Sequence, residues 1–85
     1  MDKAAVAAKL AEIFVNELGV DEADINDDLH YNVAPEWDSV GHMHLIAAIE
    51  EEFAIEIPDD AVVEMTSHGK VVEIVLRLVG AGANP

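Results

Sequence analysis

The sequence predicts an all-α fold, a small bundle of three main helices and one short helix with a long loop after the first helix. Apolar residues recur at helical spacing in three separate segments. No segment shows the polar–apolar alternation that is typical of a strand. The chain has 85 residues, 52% of them apolar, which is enough for the core of one small domain. Residues 1–85 are therefore expected to fold as a single domain.

The first helix is expected over residues 3–18. Asp2 precedes this segment as a candidate N-cap, and Gly19 follows it as a candidate stop signal. Polar side chains occupy the rest of the helical wheel, so the helix should be amphipathic. The apolar positions that repeat at helical spacing and should face the core are Val6, Leu10, Ile13 and Phe14.

Residues 19–37 are expected to form a long loop. The segment contains six acidic residues and shows no sustained hydrophobic period. Loops of this length are uncommon in compact domains and are often functional. Four apolar side chains should attach it to the core: Val20, Ile25, Leu29 and Val33.

The second helix is expected over residues 39–53, with Asp38 as its N-cap. At about 100° per residue, one face of the wheel is apolar and should point to the core. That face comprises Val40, Met43, Ile46 and Ala47, with Phe53 beside it. The opposite face comprises Gly41, His44, Ala48, Glu51 and Glu52.

The last third of the chain should contain one short and one long helix. Pro58 breaks the chain, so residues 59–64 are at most a short helix. A final helix is expected over residues 67–79, capped by Thr66 or Ser67 and ended by Gly80, with residues 80–85 as a frayed tail. Its core-facing stripe is Val71, Ile74, Val75 and Leu78.

Acidic charge is the strongest global signal in the composition. Eighteen Asp and Glu against four Lys and Arg give a formal net charge of −14. Nucleic acids and anionic membranes are therefore poor partners, whereas a basic protein surface is the natural complement. The alternative is that the charge only provides solubility. The chain has no cysteine, no apolar run long enough to span a membrane and no signal peptide, so a cytoplasmic location is expected.

The stretch "WDSVGHMHLI" at residues 37–46 concentrates the candidate chemistry. Asp38, Ser39 and His42 are the residue types of a serine triad, but all three surround one helix start. The carboxylate cannot easily hold the far side of the imidazole from there, so no catalytic residue is expected. His42 and His44 are two positions apart on the helix, point to different sides and are expected to be solvated or half-packed. Taken alone, the Asp-Ser pair is most often only a helix cap.

Metal binding is not expected either. Asp24, Asn26 and Asp28 alternate as in the beginning of a calcium-binding loop. The glycine that such a loop requires is Leu29 here, and the closing glutamate position is Pro35.

Four short motifs, read together, resemble the acyl carrier protein family. They are Asp38-Ser39-Val40, Glu51-Glu52-Phe53, Ile57-Pro58-Asp59 and Thr66-Ser67, in the order and at the spacing of that family. The resemblance is close over residues 36–67 and looser over the first helix and the long loop. It implies that Ser39 receives a 4′-phosphopantetheine arm from coenzyme A, with Asp38 as the flanking motif residue and helix cap. The arm would carry acyl or aminoacyl groups as thioesters, and the protein would be a monomeric carrier rather than an enzyme.

The resemblance also implies partners, namely a phosphopantetheinyl transferase and the ligases, synthases or transferases that load and use the carried group. The second helix is the docking helix of the family, and the residues expected to contact partners are Val40, His44, Leu45, Glu51 and Glu52. The chain departs from the family at Trp37, where a small residue is usual, at Val40, and at the two histidines. These departures favour a specialised, stand-alone carrier of fatty-acid-like, lipid-modifying or secondary-metabolite biosynthesis. Two alternatives are an acidic helical interaction module without a prosthetic group and a small hydrolase using Ser39.

Overall fold

The structure, a computed structural model, describes residues 2–82. Four α-helices lie within this part of the chain. Helix α1 spans Lys3–Leu18, α2 Ser39–Phe53, α3 Asp59–Glu64 and α4 His68–Gly82, and a 3₁₀ turn over Glu22–Asp24 lies in the long loop. Across residues 2–82 the only β-type pairing is an isolated bridge between His30 and Ser67. The predicted all-α class, with three main helices and one short one, is confirmed.

Helix α1 begins and ends at the predicted residues. The Asp2 carboxylate accepts a hydrogen bond from the backbone N–H of Ala5 at 2.9 Å. At the other end Gly19 has φ 72°, a left-handed conformation in which its N–H donates to the Val15 carbonyl. Glycine adopts this conformation without steric cost, which is why it stops helices so often.

The core lies where α1 meets α2 and α4. All four predicted positions of α1 are buried, and three of the four on α4 are buried, with Leu78 only half-buried. The side chains in the core that are fully excluded from solvent are Trp37, Phe14, Leu10, Leu45, Ile49, Met65, Val6, Val71 and Val75. Much of this core consists of branched aliphatic side chains, so the one indole is its largest single component.

The long loop is attached to the core, but not entirely by the predicted residues. Val20 and Leu29 are buried and Ile25 is half-buried, whereas Val33 is 76% exposed, so the prediction for Val33 is wrong. Val33 belongs to a tight turn in which its N–H bonds back to the His30 carbonyl, and this turn directs its side chain to solvent. Trp37 supplies the buried side chain instead.

Backbone hydrogen bonds fix the loop against the beginning of α4. The N–H of Tyr31 donates to the Thr66 carbonyl, and the N–H of His68 donates to the Leu29 carbonyl, both at 2.9 Å. A loop held in this way has little freedom, so it presents the beginning of α2 at a defined place on the bundle.

Helix α4 is longer than predicted. Its cap is Ser67, whose hydroxyl accepts from the N–H of Lys70 at 3.2 Å, and the helix begins at His68. Gly80 does not end the helix, which continues to Gly82 because Gly80 keeps a negative φ instead of turning left-handed. Residues 80–82, which were predicted to belong to the tail, are therefore helical, whereas fraying itself stays a prediction and residues 83–85 lie outside the described part of the chain.

Candidate functional site

The Asp38-Ser39 pair forms the beginning of α2, as predicted. Asp38 has extended backbone geometry, and its carboxylate accepts a hydrogen bond from the Gly41 N–H at 2.8 Å. Its carbonyl accepts from the N–H of His42, also at 2.8 Å. Asp38 is thus a complete N-cap, and Ser39 is the first residue of the helix.

Ser39 is exposed and its hydroxyl is not engaged. Among the hydrogen bonds of residues 2–82, none involves the Ser39 hydroxyl or the backbone N–H groups of Ser39 and Val40. First-turn amides have no partner within a helix, and they lie at the positive end of its dipole. The hydroxyl therefore projects from a place that favours an attached anion such as a phosphate.

Gly41 allows the beginning of α2 to pack closely against its surroundings. A Cβ atom at this position would lie 2.9 Å from both the Glu36 carbonyl oxygen and a methyl of Leu18, and 3.3 Å from the Asp38 carboxylate. The residue is half-buried, so the prediction that it faces outward is wrong. Its sequence neighbours carry no sign of this contact, because it is made by the end of α1 and by the loop.

His42 is buried, with 8% of its surface exposed, and both ring nitrogens are hydrogen-bonded. The indole Nε1–H of Trp37 donates to Nδ1 at 2.9 Å, and Nε2 lies 3.0 Å from the Val62 carbonyl oxygen. An indole nitrogen can only donate, so Nδ1 is the acceptor and Nε2–H is the donor. The expectation of a solvated or half-packed side chain is wrong for His42. The ring stacks on Trp37 with centroids 6.0 Å apart.

This arrangement does not suit catalysis by Ser39. The imidazole of His42 has no free nitrogen with which to take the serine proton, because one binds the indole and the other binds α3. Nor do residues 2–82 contain any group of three or more His, Asp or Glu side chains placed to hold a metal ion.

The buried face of α2 differs from the predicted one. The buried residues are His42, Leu45, Ile46 and Ile49. Val40 and Met43 are 63% and 61% exposed, and Ala47 is exposed as well, so of the predicted face only Ile46 lies in the core. Phe53, placed beside that face, is half-buried. In sequence, an exposed apolar stripe with helical spacing cannot be distinguished from a face that packs in the core. The prediction from helical spacing therefore assigned the wrong face of α2 to the core.

Because a different face of α2 is buried, the predicted docking residues fall into an exposed group and a buried one. Val40, His44, Glu51 and Glu52 are exposed. Leu45 is fully buried, so the prediction that it contacts partners is wrong: its side chain is part of the core and cannot reach another protein without unfolding α2.

A half-buried histidine lies at the beginning of α4. The His68 side chain is 13% exposed, its Nδ1 is 3.7 Å from an Asp27 carboxylate oxygen, and neither ring nitrogen makes a hydrogen bond. Its ring packs edge-on against Phe14, with centroids 5.2 Å apart. Burial lowers the pKa of His68, and the negative charge and side chain of Asp27 partly oppose this shift. His68 therefore belongs to the contact between loop and α4 rather than to the surroundings of Ser39.

Comparison with known proteins identifies the class of site. The family model described as "Phosphopantetheine attachment site" matches residues 8–75, most of the chain, and this range includes Ser39. A helical bundle with an exposed serine at a helix N-terminus is consistent with that class. No helix within residues 2–82 is long and apolar enough to cross a membrane.

Curated relatives narrow the class to a family. The chain is 33% identical over 77 residues to the acyl carrier protein of Rubrobacter xylanophilus, an alignment covering 91% of this chain and 95% of the relative. It is 34% identical over 73 residues to the acyl carrier protein of Picosynechococcus, covering 86% and 90%. Identity to that of Solidesulfovibrio magneticus is 46% over 55 residues, covering 65% and 70%. The chain belongs to the acyl carrier protein family, whose members are non-catalytic and hold a covalent 4′-phosphopantetheine group.

Proposed function

We propose that Ser39 carries the 4′-phosphopantetheine arm and that the protein holds acyl or aminoacyl intermediates on it for partner enzymes. One observation carries the proposal: Ser39 is the exposed first residue of α2, with an unengaged hydroxyl beside two first-turn amides. The other serine, Ser67, differs because its hydroxyl is used as the cap of α4.

The attachment reaction is a phosphoryl transfer from coenzyme A. The Ser39 hydroxyl oxygen forms a bond to the phosphorus next to the pantetheine, and the bond from that phosphorus to the bridging pyrophosphate oxygen breaks. The serine proton goes to a base of the transferase or to solvent, and adenosine 3′,5′-bisphosphate leaves. When bound, the arm supplies a thiol, which this chain without cysteine otherwise lacks.

The residues of this chain hold and orient the attachment point. Asp38 caps the helix and fixes the first turn, and Gly41 lets that turn rest on the end of α1. The unengaged amides of Ser39 and Val40 would help hold the phosphate of the arm, because the positive end of the helix dipole favours negative charge. None of these groups is required to move a proton, which fits a carrier.

The test is modification by a broad-specificity phosphopantetheinyl transferase with coenzyme A and Mg²⁺. Intact mass should show one added arm on the wild type and on the control Ser67→Ala, and none on Ser39→Ala. Circular dichroism should show that Ser39→Ala stays helical, because Asp38 still caps α2. Modification that persists in Ser39→Ala would place the site elsewhere.

We further propose that partners dock on an exposed strip of α2. Val40, Met43 and Ala47 form its apolar part, His44 lies on the exposed surface of the same helix, and Glu51 and Glu52 are exposed at its end. A matching partner surface is apolar at its centre with basic residues at one side, since charge complementarity speeds encounter and suppresses wrong partners. We propose that the protein acts as a specialised, monomeric, cytoplasmic carrier of fatty-acid-like, lipid-modifying or secondary-metabolite biosynthesis, and the less acidic beginning of α2, with His44 exposed, supports the specialised role.

A further inference from the structure

A small apolar cavity lies beside the first turns of α2. It has a volume of about 180 Å³ and is lined by Tyr31, His42, Val62, Val63, Met65 and Thr66. The loop, α2, α3 and the segment after α3 thus each contribute to its walls. An apolar cavity of roughly 150 Å³ stays dry and binds benzene. This cavity therefore has room for about one aromatic ring, or for a short acyl chain of similar volume.

His42 connects this cavity to the attachment point. It follows Ser39 by three residues, and residues three apart on a helix are neighbours on its surface. A group tethered to Ser39 can therefore reach the cavity by folding back along one turn of α2.

The imidazole of His42 is a fixed wall of the cavity. Its Nε2–H bonds to the Val62 carbonyl and so links α2 to α3, and its Nδ1 is held by the indole of Trp37. The stacked indole is itself fully buried. Moving this wall would leave the buried indole N–H without a partner, which is costly, and would remove the link from α2 to the Val62 carbonyl, which would keep only the Met65 N–H.

We propose that His42 determines the length of the acyl group that this carrier shelters, limiting it to a short chain or a single ring. The inference rests on the proposed attachment at Ser39 and concerns what is attached there. A longer chain would either leave its remaining carbons in solvent or break the two hydrogen bonds of the His42 ring. The substrate class implied is therefore short-chain aliphatic or monocyclic aromatic acyl groups.

The experiment is a series of acyl groups on the complete protein. The transferase is supplied with butanoyl-, hexanoyl-, benzoyl- or hexadecanoyl-coenzyme A, loading is verified by intact mass, and the melting temperature of each form is measured. Hexanoyl and benzoyl should raise the melting temperature by about 4–8 °C over the form with the arm alone, a typical response of a domain this size to modest stabilisation. Hexadecanoyl should raise the melting temperature no more than hexanoyl does.

Two variants show whether His42 sets the limit. His42→Ala should enlarge the cavity, so that hexadecanoyl stabilises it more than hexanoyl does. Val33→Ala, at an exposed valine of the loop that does not line the cavity, should keep the wild-type dependence on chain length. If His42→Ala does not fold, His42→Gln, which keeps a donor and an acceptor but shortens the wall, takes its place.

Three outcomes would overturn the inference. They are a melting temperature that rises steadily to hexadecanoyl in the wild type, no response to any acyl group, and an unchanged chain-length profile in the folded His42 variant. A protein that accepts no arm at Ser39 would instead overturn the proposed function, and intact mass distinguishes the two failures before any melting curve is recorded.

Discussion

The hydrogen bond between Trp37 and His42 should contribute measurably to stability, and a double-mutant cycle isolates it. Trp37→Phe removes the indole donor and part of a fully buried side chain. His42→Leu removes the acceptor and leaves the indole N–H without a partner, and it takes one of two donors from the Val62 carbonyl, which keeps the Met65 N–H. Each single change should lower the free energy of unfolding by about 2–4 kcal/mol, from lost packing and from buried polar groups left unpaired.

The double variant should cost less than the sum of the two single changes. Once the indole is gone, His42→Leu no longer leaves an N–H unpaired on that side, so the coupling should be about 1–2 kcal/mol. Urea unfolding followed by circular dichroism gives the four free energies and remains usable when the only tryptophan is removed. Val6→Ala combined with Trp37→Phe is the control. Val6 lies two helical turns before Phe14, the α1 residue in contact with the indole, so that pair should be additive. A coupling near zero for Trp37 and His42 would refute the buried hydrogen bond.

Three further predictions concern Gly41, His68 and His44. Gly41→Ala should lower the free energy of unfolding by about 1–3 kcal/mol, because its methyl would meet backbone and side-chain atoms at 2.9 Å. Gly80→Ala, whose added methyl meets nothing within 4 Å, should instead be neutral or stabilising by up to about 1 kcal/mol, and equal effects in urea unfolding would contradict the tight contact. The pKa of His68 is lowered in the folded state by burial, with Asp27 opposing, so the unfolded chain binds more protons below the ordinary value of 6.5. The free energy of unfolding should therefore fall as the pH drops from 6.5 towards the lower folded-state pKa, and His68→Leu should flatten that slope; an unchanged slope would show that His68 does not contribute. His44→Glu should raise kcat/KM of a fatty-acid malonyl transferase acting on the protein with its arm roughly two- to fivefold, through the association rate. Equal values for the wild type and this variant would remove the argument that His44 specialises the docking surface.

Local signals predicted most of the secondary structure. Asp2 and Gly19 mark the ends of α1, and Asp38 marks the beginning of α2, because caps and left-handed glycines depend on a few neighbouring residues. The predicted end of α4 at Gly80 was wrong, because a local signal alone was not sufficient there. A glycine stops a helix only when the chain turns there, and the residue Gly80 alone does not decide this.

The candidate site could be predicted only in part. The position of Ser39 at the beginning of α2 followed from the sequence, and its role as the attachment residue is a prediction that the modification experiment tests. The orientation of α2 could not be predicted, because Val40 and Met43 are apolar and recur at the spacing of core residues although they lie on the surface. The pairing of Trp37 with His42 was also missed, since it depends on how the loop meets the helix and not on either residue alone.

The central claim is that Ser39, and no other residue, carries the arm. Digestion of the modified wild type with a protease that cleaves after glutamate releases residues 37–50, which contain Ser39, and residues 65–73, which contain Ser67. Tandem mass spectrometry should find one phosphopantetheinyl group on the 37–50 peptide and none on the 65–73 peptide. The group on the 65–73 peptide, or on neither, would contradict the account.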